Sequence, residues 1–251
     1  MALRTTTPTL DLDQGPYRLR FARTEADIDA VAKLRHRVFQ VELAGGEPNA
    51  EGADRDRFDE QFDHLMIEDR DEGVVGTYRL QVAANARAAE GFYTASEFDL
   101  APLEPILEHA IEAGRACVAT SHRKGLALAL LWRGLAEYQR HNGKRYFFGC
   151  SSITSRVPAE GLATYAWLES QGHLHQHFHL NPLPELTCLP NGQVLNDEVS
   201  GVPPLFRIYL RYGAKVCSLP AVDSELGTID FVTMLDLEDL APGTVESFGV
   251  R

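Results

Sequence analysis

The sequence predicts an α/β chain, a sheet flanked by helices, and three observations carry that prediction. A hairpin pattern occupies residues 64–82, and a strand, polar-glycine turn, helix and strand follow one another over residues 111–150. The composition is 44% hydrophobic and 24% charged over 251 residues, which is globular and excludes disorder and coiled coil. A chain of this length buries a full core without disulfide or metal staples.

The elements follow in order. Residues 1–18 lack the apolar core of a signal peptide and are expected to form a mobile arm. Thr24 with Asp27 makes a capping box, and Ile28, Val31 and Val38 recur at helical spacing, so a helix is expected over residues 25–40. An acidic, glycine-rich loop follows, ELAGGEPNAEGADRDRFDEQFD, long enough to be functional or mobile. In the hairpin, strand alternation puts Val74, Tyr78, Leu80 and Val82 on one face and Thr77, Arg79 and Gln81 on the other. A helix around Leu103–Ala110 is weakened by Pro102 and Pro105. Ile111–Ala119 reads as a strand. Leu128, Leu131, Trp132 and Leu135 form the stripe of a helix that Asn142-Gly143 ends, and Tyr146–Cys150 resumes as a buried strand. Pro203–Arg211 reads as a short helix, Ala214–Leu219 and Ile229–Leu235 as strands, and residues 180–200 as irregular. Nothing forces a boundary within residues 19–240; residues 241–251 read as a tail.

The net charge of -12 argues against general nucleic-acid binding. Its distribution is uneven: Arg115, Arg123, Lys124, Arg133, Arg140, Lys144, Arg145 and Arg156 share their stretch with one carboxylate, Glu137. This block is either an anion-docking surface or a solvated helix face. Cys117, Cys150, Cys188 and Cys217 stand far apart with no CxxC pair, as expected of reduced thiols in a cytoplasm. No window approaches the ~18 apolar residues of a membrane span.

Eight blocks in order resemble the acyltransferase branch of the GNAT superfamily: the ornithine-lipid and long-chain N-acyl amino acid synthases and, more distantly, the acyl-homoserine lactone synthases. They are Leu34-Arg35-His36-Arg37-Val38-Phe39 with Glu42, Asp56-Arg57-Phe58-Asp59 with Phe62-Asp63-His64-Leu65, Val75–Leu80, Phe92-Tyr93 with Ser96-Glu97-Phe98, Glu112–Val118, Leu131-Trp132, Phe148–Ser152, and Pro203–Ala214. The resemblance covers roughly residues 20–235. It implies a twisted, mixed, largely antiparallel sheet whose central strands splay to admit a pantetheine arm. It also implies transfer of a fatty acyl group from acyl carrier protein to the α-amine of an amino acid, ornithine leading. The turn His122-Arg123-Lys124-Gly125-Leu126-Ala127 keeps only the Gly-x-Ala half of the family's acetyl-CoA loop, which fits a carrier-protein donor better than acyl-CoA.

Amide formation from a thioester needs a proton acceptor, an oxyanion donor and a thiolate exit. On the resemblance, Glu112 is the expected base; its bland alternative is a salt bridge with Arg79. His64 is a second base candidate. Asp59, Asp63, Arg79 and Arg115 form the expected substrate-binding set, with loop pinning and an Arg79–Asp59 pair as the alternatives. Arg115, three residues from Glu112, faces the opposite way in a regular strand unless a bulge redirects it. Backbone N–H groups near Val118 or Ala119 are expected to stabilise the oxyanion. Arg123, Lys124 and Gly125, with Ala127 behind them, are expected to hold the donor's phosphate at a helix N-terminus.

No cofactor is expected beyond the acyl-ACP or acyl-CoA co-substrate, and Cys117 is expected to fill core. His173, His175, His177 and His179 share one face if extended; that strip is a metal-site alternative, with no metal the expectation. Expected partners are acyl carrier protein at the basic block Arg123–Arg156 and an amino acid, without nucleic acid, in the cytoplasm with peripheral inner-membrane contact conceivable. The acidic loop (Glu47, Glu51, Asp54, Asp56, Asp59) suits a cationic side chain or simple solubility. Another N-acyl amino acid or acyl-homoserine-lactone-like signal synthase is the enzyme rival, and a catalytically silent carrier-protein-binding module is the rival from another class.

Overall fold

The computed structural model describes residues 6–43, 51–123, 125–188 and 201–240. Within them the chain is a mixed α/β protein with a mostly antiparallel, unclosed sheet flanked by helices. It divides into two compact units, residues 1–90, 113–144 and 242–251 in the first and residues 91–112 and 145–241 in the second.

In the first unit, β1 (Asp11–Gln14) and β2 (Tyr17–Phe21) form a hairpin that begins inside residues 1–18, the stretch expected as an arm. Then come α1 (Glu25–His36), β3 (Asp63–Asp69), β4 (Gly73–Val82), the short α2 (Ala83–Arg87), β5 (Ala110–Val118, of which Ala110–Glu112 belong to the second unit) and α3 (Leu126–Asn142). The strands run β1-β2-β3-β4-β5, and the first three pairings are antiparallel. The Thr24 hydroxyl accepts from the Asp27 N–H at 3.2 Å while the Asp27 carboxylate accepts from the Thr24 N–H at 3.0 Å, so the capping box forms as the sequence implies. The α-helix stops at His36 rather than 40 and continues as a π-helix over Arg37–Leu43. Gly143, at φ +62°, ends α3 in the left-handed conformation that glycine adopts without strain. Buried Leu131, Trp132 and Leu135 match the expected stripe of α3; Leu130 and Tyr138 extend it.

In the second unit, β6 (Tyr146–Ile153), α4 (Pro158–Ser170), α5 (Pro204–Arg211), β7 (Lys215–Val216), β8 (Ala221–Asp223) and β9 (Thr228–Asp236) follow. The first residues of β5, Ala110–Glu112, pair in parallel with Tyr146–Phe148 of β6; β6 then pairs antiparallel with β9 along its whole length. The core joins Ile153, Leu168, Phe206, Leu210, Val216, Ile229 and Phe231.

The sequence reading differs here in four places. The helix over Leu103–Ala110 is two 3-10 turns, Ala101–Leu103 and Leu107–His109, because Pro102 and Pro105 remove helix donors. The strand over Ala214–Leu219 keeps ladder pairing only at Lys215 and Val216. Helix α4, with Pro158 in its first turn, and β8 were not anticipated. No helix among the described residues is long and apolar enough to cross a membrane.

Candidate active site

Each unit holds a buried polar constellation among its described residues. In the first, α1 carries Arg35 on the face that also buries Ile28, Val31 and Leu34, and the side chain is 1% exposed. Such a cation is stable only if paired. Its Nη1 and Nη2 donate to the two Asp59 oxygens at 2.7 and 2.9 Å, and its Nε donates to Asp54 at 2.9 Å. Arg79 on β4 donates through Nη1 to both Asp56 oxygens, at 2.7 and 2.6 Å, and to Asp59 at 2.9 Å. Arg115 on β5 reaches Asp56 at 3.1 Å and lies 3.8 Å from Asp54. Three arginines from three elements thus consume three aspartates of the acidic loop.

Burial pushes the Asp59 carboxyl up, but the hydrogen bonds and charges of Arg35 and Arg79 outweigh it and hold it well below the usual range. Asp56 is held down in the same way, chiefly by Arg79 against its own burial.

This network corrects several expectations. Arg79 makes the bland pair with Asp59, and Asp56 besides, and its strand face is as buried as the apolar one. Asp54, Asp56 and Asp59 are engaged by arginines, which removes them as a ready pocket for a substrate cation; Glu47 lies outside the described residues. Strand parity does not apply to Arg115, because its backbone sits at φ +47°, left-handed for a non-glycine residue. That kink redirects the guanidinium to the aspartates.

His64 is fully buried, its Nε2 2.9 Å from the Asp59 carbonyl oxygen, and burial pulls its pKa down to about 4. It pins the loop. Asp63 accepts from the Tyr138 hydroxyl at 2.8 Å and from Thr6 at 3.0 Å, which also makes it a pin.

The expected donor loop belongs to the same unit. The Ala119 N–H donates to the Val75 carbonyl at 2.8 Å, so it is not available as an oxyanion donor. The Val118 carbonyl accepts from Arg123 Nε at 2.9 Å, and Arg123 Nη2 pairs with Glu42 of the π-helix at 2.6 Å. Arg123 therefore stands in an ion pair at the mouth of α3. Gly125, at φ +80°, starts that helix with no capping side chain, and Ala127 is buried behind it. Lys124 lies outside the described residues. The basic block is not a single surface within either unit, since Arg123–Lys144 belong to the first and Arg145–Arg156 to the second. Arg145 is spent on Asp236 and Glu238, and Arg140 on Glu137.

The second unit holds Glu112, 2% exposed on β5. Its Oε2 accepts from the Tyr93 N–H at 3.1 Å, and its Oε1 accepts from the Thr94 N–H and hydroxyl, both at 2.6 Å. The 3-10 turn Tyr93–Ser96 presents both N–H groups. A buried carboxylate oriented by hydrogen bonds is equipped to take a proton from an amine.

Also in this unit, the histidine strip does not form one face. His175 Nδ1 accepts from the N–H groups of His177 and Phe178, each at 3.0 Å, which folds the segment into a turn. Cys117, in the first unit, is buried, and burial pushes its thiol up to about 12, in keeping with core filling.

Sequence reasoning gave no site role to Arg35 or Thr94, and it named Asp54 only within the acidic loop. Arg35 carried a usable signal, because it lies four residues after Val31 and seven after Ile28, on the apolar face. Thr94 carried none.

The family model for the acetyltransferase (GNAT) domain matches residues 34–133. The L-ornithine N(alpha)-acyltransferase of Brucella abortus (strain 2308) is 31% identical over 255 residues, covering 94% of this chain and 90% of the relative. That of Agrobacterium fabrum (strain C58 / ATCC 33970) is 31% identical over 253 residues, 94% and 86% respectively. Among solved structures, TofI in a ternary complex with an inhibitor and MTA superposes with TM-score 0.50 at 14% identity, over 93% of this chain and 97% of the other. The AHL synthase LasI does so with TM-score 0.50 at 11% identity, over 93% and 95%. At these identities the two structures establish a shared fold.

Proposed function

Since the chain belongs to the GNAT-superfamily acyltransferase family of the L-ornithine N(alpha)-acyltransferases, we propose that it acylates the α-amine of ornithine, with a long-chain acyl carrier protein as donor and a lyso-ornithine lipid as product. The observation that carries the reading is Glu112, a buried carboxylate oriented by three neutral donors. In the proposed mechanism the ornithine ammonium gives a proton to Glu112, and the freed amine attacks the thioester carbonyl. The C–N bond forms, the tetrahedral oxyanion collapses, the C–S bond breaks, and the carrier's thiolate takes up the second proton that the nitrogen sheds as it becomes the amide. No covalent enzyme intermediate is needed.

The uncapped N-terminus of α3 supports the donor half of the reading, because its N–H groups suit the phosphate of a phosphopantetheine arm. The Arg123–Glu42 pair would exchange Glu42 for that phosphate. Carrier-protein docking would use the exposed cations of the first unit, Arg133 among them. The arginine–aspartate network acts in this reading as the scaffold of the acidic loop. A cytoplasmic location, with peripheral inner-membrane contact, belongs to the proposal because the product is lipid-like.

The test is thiol release from a long-chain acyl carrier protein against a panel of amino acids, with Glu112→Gln in parallel. Release with ornithine, reduced about 10²- to 10⁴-fold in the variant, is the expected result. Carrier binding without release from any amine would favour the silent docking module.

A further inference from the structure

Glu97, Cys150 and Asp230 come from three separate elements of the second unit: the end of the Tyr93–Ser96 turn, strand β6 and strand β9. Their ligating atoms all lie within 4.8 Å of one another. Cys150 Sγ is 3.7 Å from Glu97 Oε2. Glu97 and Asp230 are 4% and 2% exposed, their carboxyls bond each other, and Glu97 Oε1 and Asp230 Oδ1 accept no hydrogen bond from any other residue. Two buried carboxylates with orphaned oxygens beside a thiol are costly to retain.

Among the described residues, the charged groups that act most strongly on these three are one another, Asp223 and Glu112, all acidic. Burial and this mutual repulsion push Glu97, Asp230 and the Cys150 thiol upward together. Tyr93 supports Glu97, and Ser152, directly opposite Asp230 in the ladder, supports Asp230, so each carboxylate already has an orienting partner.

We propose that Glu97, Cys150 and Asp230 form a binding site for a zinc-type divalent metal ion. The donor set decides the class: a thiolate selects a borderline-soft ion over magnesium or calcium, which take oxygen alone. Zinc bonds of about 2.0–2.3 Å place tetrahedral donors about 3.3–3.8 Å apart. The Cys150–Glu97 spacing falls in that range, and the remaining spacings reach it by closing about 1 Å. Binding forms one S–metal and two O–metal bonds and releases the thiol proton, together with any proton held by the carboxyl pair, to solvent. The second Glu97 oxygen or a water completes four-coordination. The ion would tie β6, β9 and the Tyr93–Ser96 turn together, a structural staple independent of the acyltransferase reading.

The probe is cobalt(II), titrated into the full chain after removal of metals with a chelator. One equivalent should give a near-ultraviolet thiolate-to-cobalt band, bleached by one equivalent of zinc. Cys150→Ser should abolish the band, and Cys188→Ser should leave it. Glu97→Gln should weaken cobalt binding at least about 10-fold. Zinc should raise the melting temperature of the parent protein and not of Cys150→Ser. No band in the parent protein, or one that survives Cys150→Ser, overturns the proposal. Should Cys150→Ser fail to fold, a folded Glu97→Gln that keeps full cobalt affinity overturns it. A cobalt spectrum without charge transfer, removed by replacing His175 and His177, overturns it in favour of a surface histidine site.

Discussion

Thr94 holds Glu112 twice, its backbone N–H and its hydroxyl both 2.6 Å from the same carboxylate oxygen. The turn therefore fixes where one Glu112 lone pair points. Replacing the hydroxyl by a methyl group of similar shape, Thr94→Val, keeps the backbone donor and loosens the orientation. Thiol release should fall about 10- to 100-fold in kcat with KM for the amine little changed. Thr94→Ser should restore it. A Thr94→Val enzyme with parental kcat would refute the orienting role.

The Arg35–Asp59 pair is buried and bidentate. Removing one partner strands the other charge, so Arg35→Ala or Asp59→Ala should each destabilise the fold by about 3–5 kcal/mol. Urea denaturation reads this directly. Because the two residues share one network, the double variant should cost clearly less than the sum of the singles.

Acid should weaken the protein in two windows. His64 has its pKa lowered to about 4 from 6.5 by burial, so the folded state resists its protonation while the unfolded chain accepts it. Its contribution is intact above pH 6.5 and is lost as pH falls toward 4, amounting to about 3 kcal/mol. Asp59 and Asp56 have lowered pKa values, so their contribution is present above the unfolded value of 3.8 and disappears below it. Stability measured from pH 7 to 3 should therefore fall first through the histidine window. His64→Gln should flatten that first slope and leave the second.

Gly134 lies where α3 meets β3. A Cβ there would stand 2.5 Å from Leu65 Cδ2 and 2.6 Å from Cδ1. Gly134→Ala should destabilise by about 1–3 kcal/mol despite alanine's better helix propensity. Shortening the neighbour, Leu65→Val, should recover part of the loss, and a stabilising Gly134→Ala would mean that the helix can shift.

Local chemistry was legible in the sequence wherever the cause lies within a few residues. The Thr24–Asp27 box, the hairpin, the strand before α3 and the Gly143 stop depend on propensity, alternation and capping, which neighbours along the chain supply. The set Glu112, Asp59, Asp63, His64, Arg79 and Arg115 was also visible as residue types in family blocks. Their partners were not. Strand parity placed Arg115 opposite Glu112, and only the left-handed kink at Arg115, held by Asp56 59 residues away, shows where its guanidinium goes.

By itself, the sequence determined the fold class, the capped start of α1, the glycine end of α3 and the residue types that acyl-transfer chemistry would draw on, because period and capping are short-range effects. Tertiary structure alone decided that Asp54, Asp56 and Asp59 pair with arginines rather than wait for a substrate, that the Ala119 N–H is spent on Val75, and that Thr94 orients Glu112. Burial and hydrogen bonding act through space, between groups tens of residues apart. Whether a charge is free or consumed is therefore settled only once the chain has folded around it.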